Sequence, residues 1–399
     1  MSQSHSFEQF MQIPIIFYKT IGEELFEHRS TNKLKSLLLK MYLYFGFINF
    51  NFHVMGEIVF FLKSLGTRET VLQAIAVAPC MFFSFMSNLK QILLASHKPL
   101  LRQHLKQLED LFPTTSKKQS EYKLQHYERI MRRVMVIFTM LCMMYTSTFS
   151  FYPACKAFVN YYFLDAPRYE RNFGFLVWYP FNATSTRLIY WTTYWSLGHA
   201  AYLAGVAFLC ADLLLIASVT QLVMHFDYIS KQLINFKGNV AKEVENIKFL
   251  NGIVDYHAKC LNISEEVNTI FSFSLLFNFL AASLNICFIG FQVTTSTTED
   301  IIMYCIFMIA SLVQVFIVCY YGDELMTASF GVGDAAYNQY WFHMGTKYKK
   351  ILLLIVARSQ RPASIRAPTF PPISFNTYMK VISMSYQFFA LLRTTYSSD

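Results

Sequence analysis

Residues 301–321, IIMYCIFMIASLVQVFIVCYY, run for 21 positions without a charged side chain. A helix of this length matches the hydrocarbon layer of a bilayer, which takes about 20 apolar residues to cross. Residues 269–293 also carry no charge. Over all 399 residues, 54% are hydrophobic and 15% are charged, against roughly 25% charged in an average soluble domain. The composition predicts a membrane protein and excludes disordered, collagen-like and small disulfide-stapled chains.

Further apolar runs bring the total to seven transmembrane helices, and the fold class is therefore an all-α polytopic membrane protein. The fourth run is longer than the bilayer requires, so its last turns are expected to leave the membrane. Four of the seven runs contain charged residues, among them Glu57, Lys90, Asp212 and Lys380. The five further runs are 37–62, 71–95, 134–152, 191–225 and 375–395.

The basic residues predict the orientation of these helices. Twenty-four Lys and Arg fall in the N-terminal segment and in the connections after the second, fourth and sixth runs, against seven on the opposite side. Because cytoplasmic loops hold the excess of Lys and Arg, the N-terminus is predicted inside and the C-terminus outside. This orientation is the reverse of a G-protein-coupled receptor. The membrane topology accounts for the net charge of +9 without a nucleic acid partner.

Two Asn-x-Ser/Thr sequons test the same orientation. Asn182 lies on the predicted outer side and Asn262 on the inner side. Since glycans are added outside the cytoplasm, glycosylation is expected at Asn182 and not at Asn262. The first residues lack the basic and apolar pattern of a cleaved signal peptide, so the first membrane helix is expected to direct insertion.

Motifs for catalysis and metal binding are missing from the sequence. It contains no Gly-rich phosphate loop, no His-Glu-x-x-His and no Gly-x-Ser-x-Gly. His257 and Cys260 are three residues apart, but two lone ligands rarely form a metal site. Six of the eight cysteines fall in apolar stretches, where thiols usually act as small buried hydrophobes. We therefore expect neither an enzyme nor a resident metal or cofactor.

The last apolar run carries polar residues along one side. Steps of four, three, four, four and three residues place them on one helical face. Lipid cannot satisfy such groups, so this face meets water or protein. It forms either a pore wall that narrows at Leu391 or a helix contact joined by hydrogen bonds. The residues of this polar stripe are Asn376, Lys380, Ser383, Gln387, Leu391 and Thr394.

The outer halves of the second to sixth runs are rich in aromatic residues with a few polar groups. A cavity of this composition suits a small apolar molecule oriented by one or two hydrogen bonds, for which Tyr145, His199 and Asn285 are the candidates. The alternative is ordinary aromatic packing with an interfacial belt. The candidate ligand-binding residues are Phe82, Tyr145, Phe149, Tyr152, Trp195, His199, Tyr202, Asn285 and Tyr304. In the inner halves, Lys90 and Asp212 either pair or extend toward the interface.

The cytoplasmic connections 109–133, 227–268 and 337–357 mix charged and apolar residues at helical spacing. They predict helices below the membrane, which serve either as a subunit-contact platform or as solvated amphipathic helices. Four prolines, from Pro362 to Pro372 inclusive, separate the helix predicted in 337–357 from the seventh run.

The C-terminal third contains a specific series of motifs that continues to the end of the seventh run. They are Tyr320-Tyr321-Gly322-Asp323-Glu324-Leu325, Ser329, Ala336-Tyr337, Trp341, Lys349-Lys350-Ile351-Leu352-Leu353, Ala357-Arg358-Ser359-Gln360-Arg361-Pro362, Phe375, Tyr378, Ser385-Tyr386 and Phe389-Ala390-Leu391-Leu392-Arg393. This series resembles the signature of the insect odorant receptors.

The resemblance implies an odorant-gated, non-selective cation channel in which four subunits surround a pore lined by the last helix. The shared co-receptor of the family has a longer connection than residues 226–268, so this chain resembles a ligand-tuning subunit that assembles with that co-receptor. The implied location is the plasma membrane of sensory neuron dendrites, where the partners include a volatile odorant, membrane lipid and permeating cations. By position, the pore and gate residues are Ser383, Gln387, Leu391, Thr394 and Thr395.

Four segments follow from the sequence and the resemblance together. Residues 1–36 are a cytoplasmic N-terminal segment, and 37–321 hold six helices with the ligand-binding region. Residues 322–373 are a cytoplasmic anchor and linker, and 374–399 are the pore-lining helix and a short extracellular tail. A gustatory-type channel is the nearest alternative. A G-protein-coupled receptor would need an outside N-terminus, and a transporter would show internal repeats.

Overall fold

A computed structural model describes residues 4–23, 25, 33–66, 68–163, 171–295, 298–368 and 371–397. Parts of the predicted N-terminal segment and the last two residues of the predicted tail lie outside these ranges. Within them, all regular secondary structure is helical. The twelve α-helices are α1 Phe7–Phe10, α2 Gln12–Thr20, α3 Lys33–Ser64, α4 Arg68–Ser96, α5 Lys98–Leu111, α6 Ser116–Glu121, α7 Leu124–Phe163, α8 Arg187–Asn235, α9 Glu243–Thr295, α10 Thr298–Tyr337, α11 Thr346–Ser359 and α12 Phe375–Ser397.

Six of these helices are long and apolar enough to cross a membrane: α3, α4, α7, α8, α9 and α10. They contain the first six predicted runs. The seventh run is α12, a helix of 23 residues. Its mean hydropathy is lower than that of the other six helices because it contains more polar residues. The prediction of an all-α membrane protein is confirmed.

The cytoplasmic connections are helical, as predicted, but each is interrupted. The first breaks after Leu111, where Pro113 follows, and again at Lys123, whose φ of 53° lies in the left-handed region. The second breaks between Asn235 and Val240. The third stops at Tyr337 and resumes at Thr346. The apolar periodicity in these connections therefore identified the helices but not their ends.

α8 forms the centre of the bundle. Every residue from Leu203 to Phe226 is buried, and α2, α3, α4, α7, α9 and α10 all pack against this helix. A helix surrounded on all sides by other helices must be apolar all round, which is why the fourth run shows no polar face. Its last turns continue past the predicted span to Asn235, as expected.

Close backbone contacts hold the linker before α12 against α10. A Cβ on Gly322 would lie 2.5 Å from the carbonyl oxygen of Ile373, so the glycine allows the linker to approach. The hydroxyl oxygen of Ser329 accepts a 2.9 Å hydrogen bond from the backbone N–H of Ala363. A Cβ on Gly333 would lie 2.9 Å from the Cβ of Ser359 in α11. Several motif residues of the C-terminal third thus fix where α12 begins.

Candidate functional site

A cluster of aromatic rings joins α4, α7, α8 and α10 inside the bundle. The rings of Tyr145 and Phe307 stack with centroids 4.0 Å apart. Phe83 meets the Tyr145 ring edge-on at 5.4 Å and lies 4.9 Å from the ring of Phe208. Two cavities adjoin this cluster, and Phe83 and Tyr145 line both. The two rings therefore form a partition between them.

The first cavity, cavity A, lies between α3, α4, α7 and α8. Its walls bound about 390 Å³, which includes space open to the surroundings, and the interior is narrow. Side chains must therefore move before an organic ligand fits. Its lining residues are Phe50, His53, Val54, Glu57, Cys80, Phe83, Ser84, Tyr145, Thr146, Phe175, Leu197, Ala200, Ala201 and Ala204.

The second cavity, cavity B, lies between α4, α7, α8, α9 and α10, and its walls bound about 470 Å³, which includes space open to the surroundings. Asn285 lies in its wall with a buried Oδ1 that has no hydrogen-bond partner in the described chain. About two turns earlier on α9, the Nδ2 of Asn278 is also buried without a partner in the described chain. Its lining residues are Phe83, Met86, Cys142, Tyr145, Phe208, Asn278, Ala281, Ala282, Asn285, Phe307, Ala310, Ser311 and Gln314.

A buried ion pair lies beside cavity B. The Nζ of Lys90 is 2.8 Å from both carboxylate oxygens of Asp212, and both side chains are almost fully buried. Gln314 donates from Nε2 to Asp212 and to the Oδ1 of Asn278, each at 3.1 Å. The same Nζ lies 3.6 Å from the ring centroid of Phe208. Of the two alternatives for Lys90 and Asp212, the structure shows pairing.

Several predicted ligand-binding residues meet at the aromatic cluster. Tyr145 lines both cavities and Asn285 lines cavity B. Phe149 packs edge-on against Tyr145 at 4.9 Å and against Tyr304 at 6.2 Å. These four residues therefore lie in or directly behind the cavity walls. Tyr152 lies further along α7, where Lys156 is 6.0 Å from its ring.

Four other predicted residues, Phe82, Trp195, His199 and Tyr202, do not line either cavity. Phe82 stacks on Phe288 at 6.1 Å, whereas its neighbour Phe83 faces inward, because successive helical residues point about 100° apart. Trp195 is 65% exposed and Tyr202 is 42% exposed.

His199 is turned toward α3. Its ring lies within hydrogen-bond distance of the Tyr42 hydroxyl and the Asn49 side chain. The face of α8 that borders cavity A consists instead of Leu197, Ala200, Ala201 and Ala204.

Residues of α3 and of the outer loop, whose described residues are 171–186, complete cavity A. Sequence reasoning missed them. Glu57 is a charge inside an apolar run, which was a signal for a site, and Phe175 carried no such signal. The loop lies tightly on the bundle: Trp178 donates from its backbone N–H to the carbonyl oxygen of Gly56 at 3.1 Å. A Cβ on Gly56 would lie 2.4 Å from Val177. This loop also carries Asn182, whose side chain is exposed.

The polar stripe of α12 faces away from the rest of the chain. All six of its residues are exposed, with Leu391 at 66%. The opposite face buries Thr377, Val381 and Ser385 against α9 and α10. Thr395, also exposed, donates its hydroxyl to the carbonyl oxygen of Leu391.

Among the described residues, no group of three or more His, Cys, Asp or Glu could hold a metal ion. His257 and Cys260 are buried in the part of α9 that precedes the predicted span. Burial and the nearby Arg358 lower the pKa of His257 to about 4, so this imidazole is neutral near pH 7. All eight cysteines are free thiols, and six of them are buried.

Comparisons with known proteins point to one family. The family model described as 7tm Odorant receptor matches residues 28–386. Odorant receptor 67c of Drosophila melanogaster is 59% identical over 99% of this chain and 98% of its own length. Putative odorant receptor 92a of the same species is 53% identical, over 98% and 96%. The insect olfactory receptor OR5 from Machilis hrabei, solved in complex with eugenol, has the same fold at 15% identity, with a TM-score of 0.80 over 97% and 98% of the two chains.

Proposed function

Since this chain belongs to the 7tm odorant receptor family, we propose that it is the ligand-tuning subunit of an odorant-gated, non-selective cation channel. The observation that carries the proposal is the polar stripe of α12, which is exposed along its whole length. A membrane helix needs water or protein beside such a face. Four subunits that turn their stripes toward a common axis supply both.

The odorant binds in cavity B. Asn285 offers a polar group and Tyr145 an aromatic ring, and Phe149 and Tyr304 support the aromatic wall from behind. Most of the remaining lining is apolar, which suits a small volatile molecule that makes one or two hydrogen bonds. The Machilis hrabei receptor, a protein of the same fold, was solved with the small aromatic molecule eugenol.

Ligand binding in cavity B acts on the helices that hold α12. Asn285 lies five residues before Gly290 on α9, and a Cβ on Gly290 would lie 3.5 Å from the ring of Phe389 in α12. On α10, Phe316 contacts the ring of Tyr378 at 5.7 Å. An odorant that fits better when α9 and α10 have shifted therefore favours the arrangement in which α12 moves outward and the pore opens.

Exposed apolar side chains at the cytoplasmic end provide the contact between subunits. Leu353 and Leu354 of α11 are 66% and 68% exposed, and Tyr337 and Tyr340 are 65% and 68% exposed. Several large apolar side chains left exposed on one protomer favour an interface. We assign it to contact with the co-receptor in a heterotetramer, with residues 322–373 as the anchor and linker. The chain is a multi-pass membrane protein, and its proposed site of action is the dendritic plasma membrane of a sensory neuron.

Whole-cell recording tests the proposal. Cells express this chain alone, the co-receptor alone, or both, and receive a panel of small volatiles. We expect a ligand-dependent cation current in the co-expressing cells, and expect it to persist when GTP is replaced by a non-hydrolysable GDP analogue. Current from this chain without the co-receptor, or no current despite surface delivery, would contradict the proposed subunit role.

A pair of variants tests cavity B. Asn285→Leu removes a hydrogen-bonding group from the cavity wall. It should raise the half-maximal ligand concentration about tenfold, because one hydrogen bond contributes about 1.4 kcal/mol to binding. Phe82→Leu is the matched control, because Phe82 stacks on Phe288 outside both cavities. Equal dose-response curves for Asn285→Leu and the parent chain would remove cavity B from the proposal.

A further inference from the structure

Cavity A is a second compartment that the proposed odorant site does not use. α3 and the outer loop form one side of it, and neither contributes a lining residue to cavity B. The partition between the cavities is well packed, since Tyr145 stacks on Phe307 and meets the edge of Phe83. A molecule in one cavity therefore leaves the other available.

Cavity A contains a buried carboxyl group with a free hydrogen-bonding position. Glu57 of α3 is 4% exposed. Ser84 of α4 hydrogen-bonds its side chain, and its Oε2 has no partner in the described chain. Buried polar atoms are rarely left unsatisfied in native proteins, and an exception is a common sign of a ligand position.

The other polar groups of the wall are already engaged. The two ring nitrogens of His53 lie 3.1 Å from the Tyr179 hydroxyl and 3.0 Å from the Ser196 hydroxyl. Thr146 donates its hydroxyl to backbone carbonyls of its own helix. Glu57 is thus the one lining side chain with a buried polar atom that lacks a partner among the described residues.

We propose that cavity A binds a small hydroxyl-bearing organic molecule whose hydroxyl group hydrogen-bonds to Oε2 of Glu57 and whose apolar body packs against Phe50, Phe83 and Phe175. The hydrogen-bonding capacity of the free oxygen selects the ligand class. A hydroxyl group both donates and accepts, so it fits Oε2 whether or not that oxygen carries the carboxyl proton. An ether only accepts and fits Oε2 in one of these two states, and an ammonium brings three donors and leaves two without a partner in an apolar wall.

Thermal unfolding of the purified full chain in detergent tests this inference without any channel current. The probes are 1-hexanol, its isomer 1-methoxypentane, and hexylamine. A ligand that binds the folded state raises the unfolding temperature in proportion to its concentration. We expect 1-hexanol to reach half of its maximal effect at about a tenfold lower concentration than 1-methoxypentane. Equal effects of the alcohol and the ether, or a stronger effect of the amine, would overturn the proposed ligand class.

Three variants assign the effect to cavity A. Glu57→Leu should remove the preference for the alcohol, whereas Glu57→Gln keeps an acceptor oxygen and should retain part of it. If Glu57→Leu does not fold, the Glu57→Gln comparison alone still decides. Phe82→Leu should leave the alcohol preference unchanged, since Phe82 stacks on Phe288 outside both cavities. An alcohol preference that survives Glu57→Leu would place the hydroxyl elsewhere and refute the inference. Because no current is recorded, this outcome is independent of whether the chain forms a channel.

Discussion

α8 and α12 are both long helices of the bundle, but neighbouring helices surround α8 on every side, whereas one face of α12 has no neighbour within the described chain. α8 is buried without interruption from Leu203 to Phe226. α12 buries three of its described side chains, Thr377, Val381 and Ser385. The difference shows that the apolar surface of α8 serves the folding of one chain. The polar face of α12 is available for contact with water or with another protein.

The polar groups of the two helices differ in the same way. Asp212 of α8 points inward, where Lys90 and Gln314 satisfy it. Lys380, Ser383 and Gln387 of α12 point outward. We therefore expect a polar residue on α8 to affect stability, and one on the exposed face of α12 to affect assembly and conduction. Substitutions on the two helices should separate these two roles.

The largest effect is expected from Asp212→Leu. This substitution leaves Lys90 as a buried charge without its partner, which costs about 3–5 kcal/mol. We expect a lower unfolding temperature in detergent and loss of surface delivery, measured by surface biotinylation. The double variant Lys90→Met/Asp212→Leu removes both charges and should recover most of the loss. Lys380→Met is the control on α12, where the lysine is exposed and no change in stability is expected.

A double variant no more stable than Asp212→Leu alone would show that Lys90 and Asp212 do not depend on each other. An unfolding temperature lowered equally by Lys380→Met would contradict the contrast between the two helices.

Hydropathy was enough to find the first six membrane helices, because a bilayer demands about 20 apolar residues whatever their order. It did not give the rotation of each helix. The aromatic residues at the start of α8 lie beside the residues that line cavity A, but Trp195 and Tyr202 are exposed. Phe82 missed both cavities by one position. Rotation depends on which neighbours pack against a helix, and this information is spread over the whole chain.

The buried polar residues show a second limit. The sequence placed Lys90 and Asp212 at similar depth, but pairing and extension toward the interface were equally compatible with that depth. Glu57 was recognised as a charge in an apolar run, yet its role depends on Ser84 and on the outer loop. Both are distant in sequence. In contrast, the stripe of α12 was predicted residue by residue, because helical spacing alone decides which residues share a face.

An intermediate effect is expected from Leu391→Ala on α12. If Leu391 narrows the pore, a smaller side chain weakens the closed state by about 1.4 kcal/mol and raises the current without odorant about tenfold. Its 66% exposure in the single chain means that the unfolding temperature should not fall. Basal current in cells that also express the co-receptor is the measurement. Tyr386→Ala is the control, since Tyr386 is exposed on the same helix but rotated about 140° from Leu391.

An increase in basal current with Tyr386→Ala equal to that with Leu391→Ala would show that the stripe does not define the pore wall. A fall in unfolding temperature with Leu391→Ala would instead place this leucine in a contact within the chain.

The smallest effect is expected from Asn182→Gln, which tests the orientation of both helices. Asn182 is exposed in the loop that leads into α8, and its Oδ1 accepts hydrogen bonds from the backbone N–H and the hydroxyl of Thr184. We expect the substitution to abolish a glycosidase-sensitive shift in electrophoretic mobility while leaving odorant responses and the unfolding temperature unchanged, because no wall of either cavity includes this residue. Asn262→Gln is the control, since Asn262 belongs to the cytoplasmic side in the predicted topology. A glycan that survives Asn182→Gln and disappears in Asn262→Gln would place the start of α8 inside the cell. It would reverse α12 as well and move Leu391 to the cytoplasmic end of the pore.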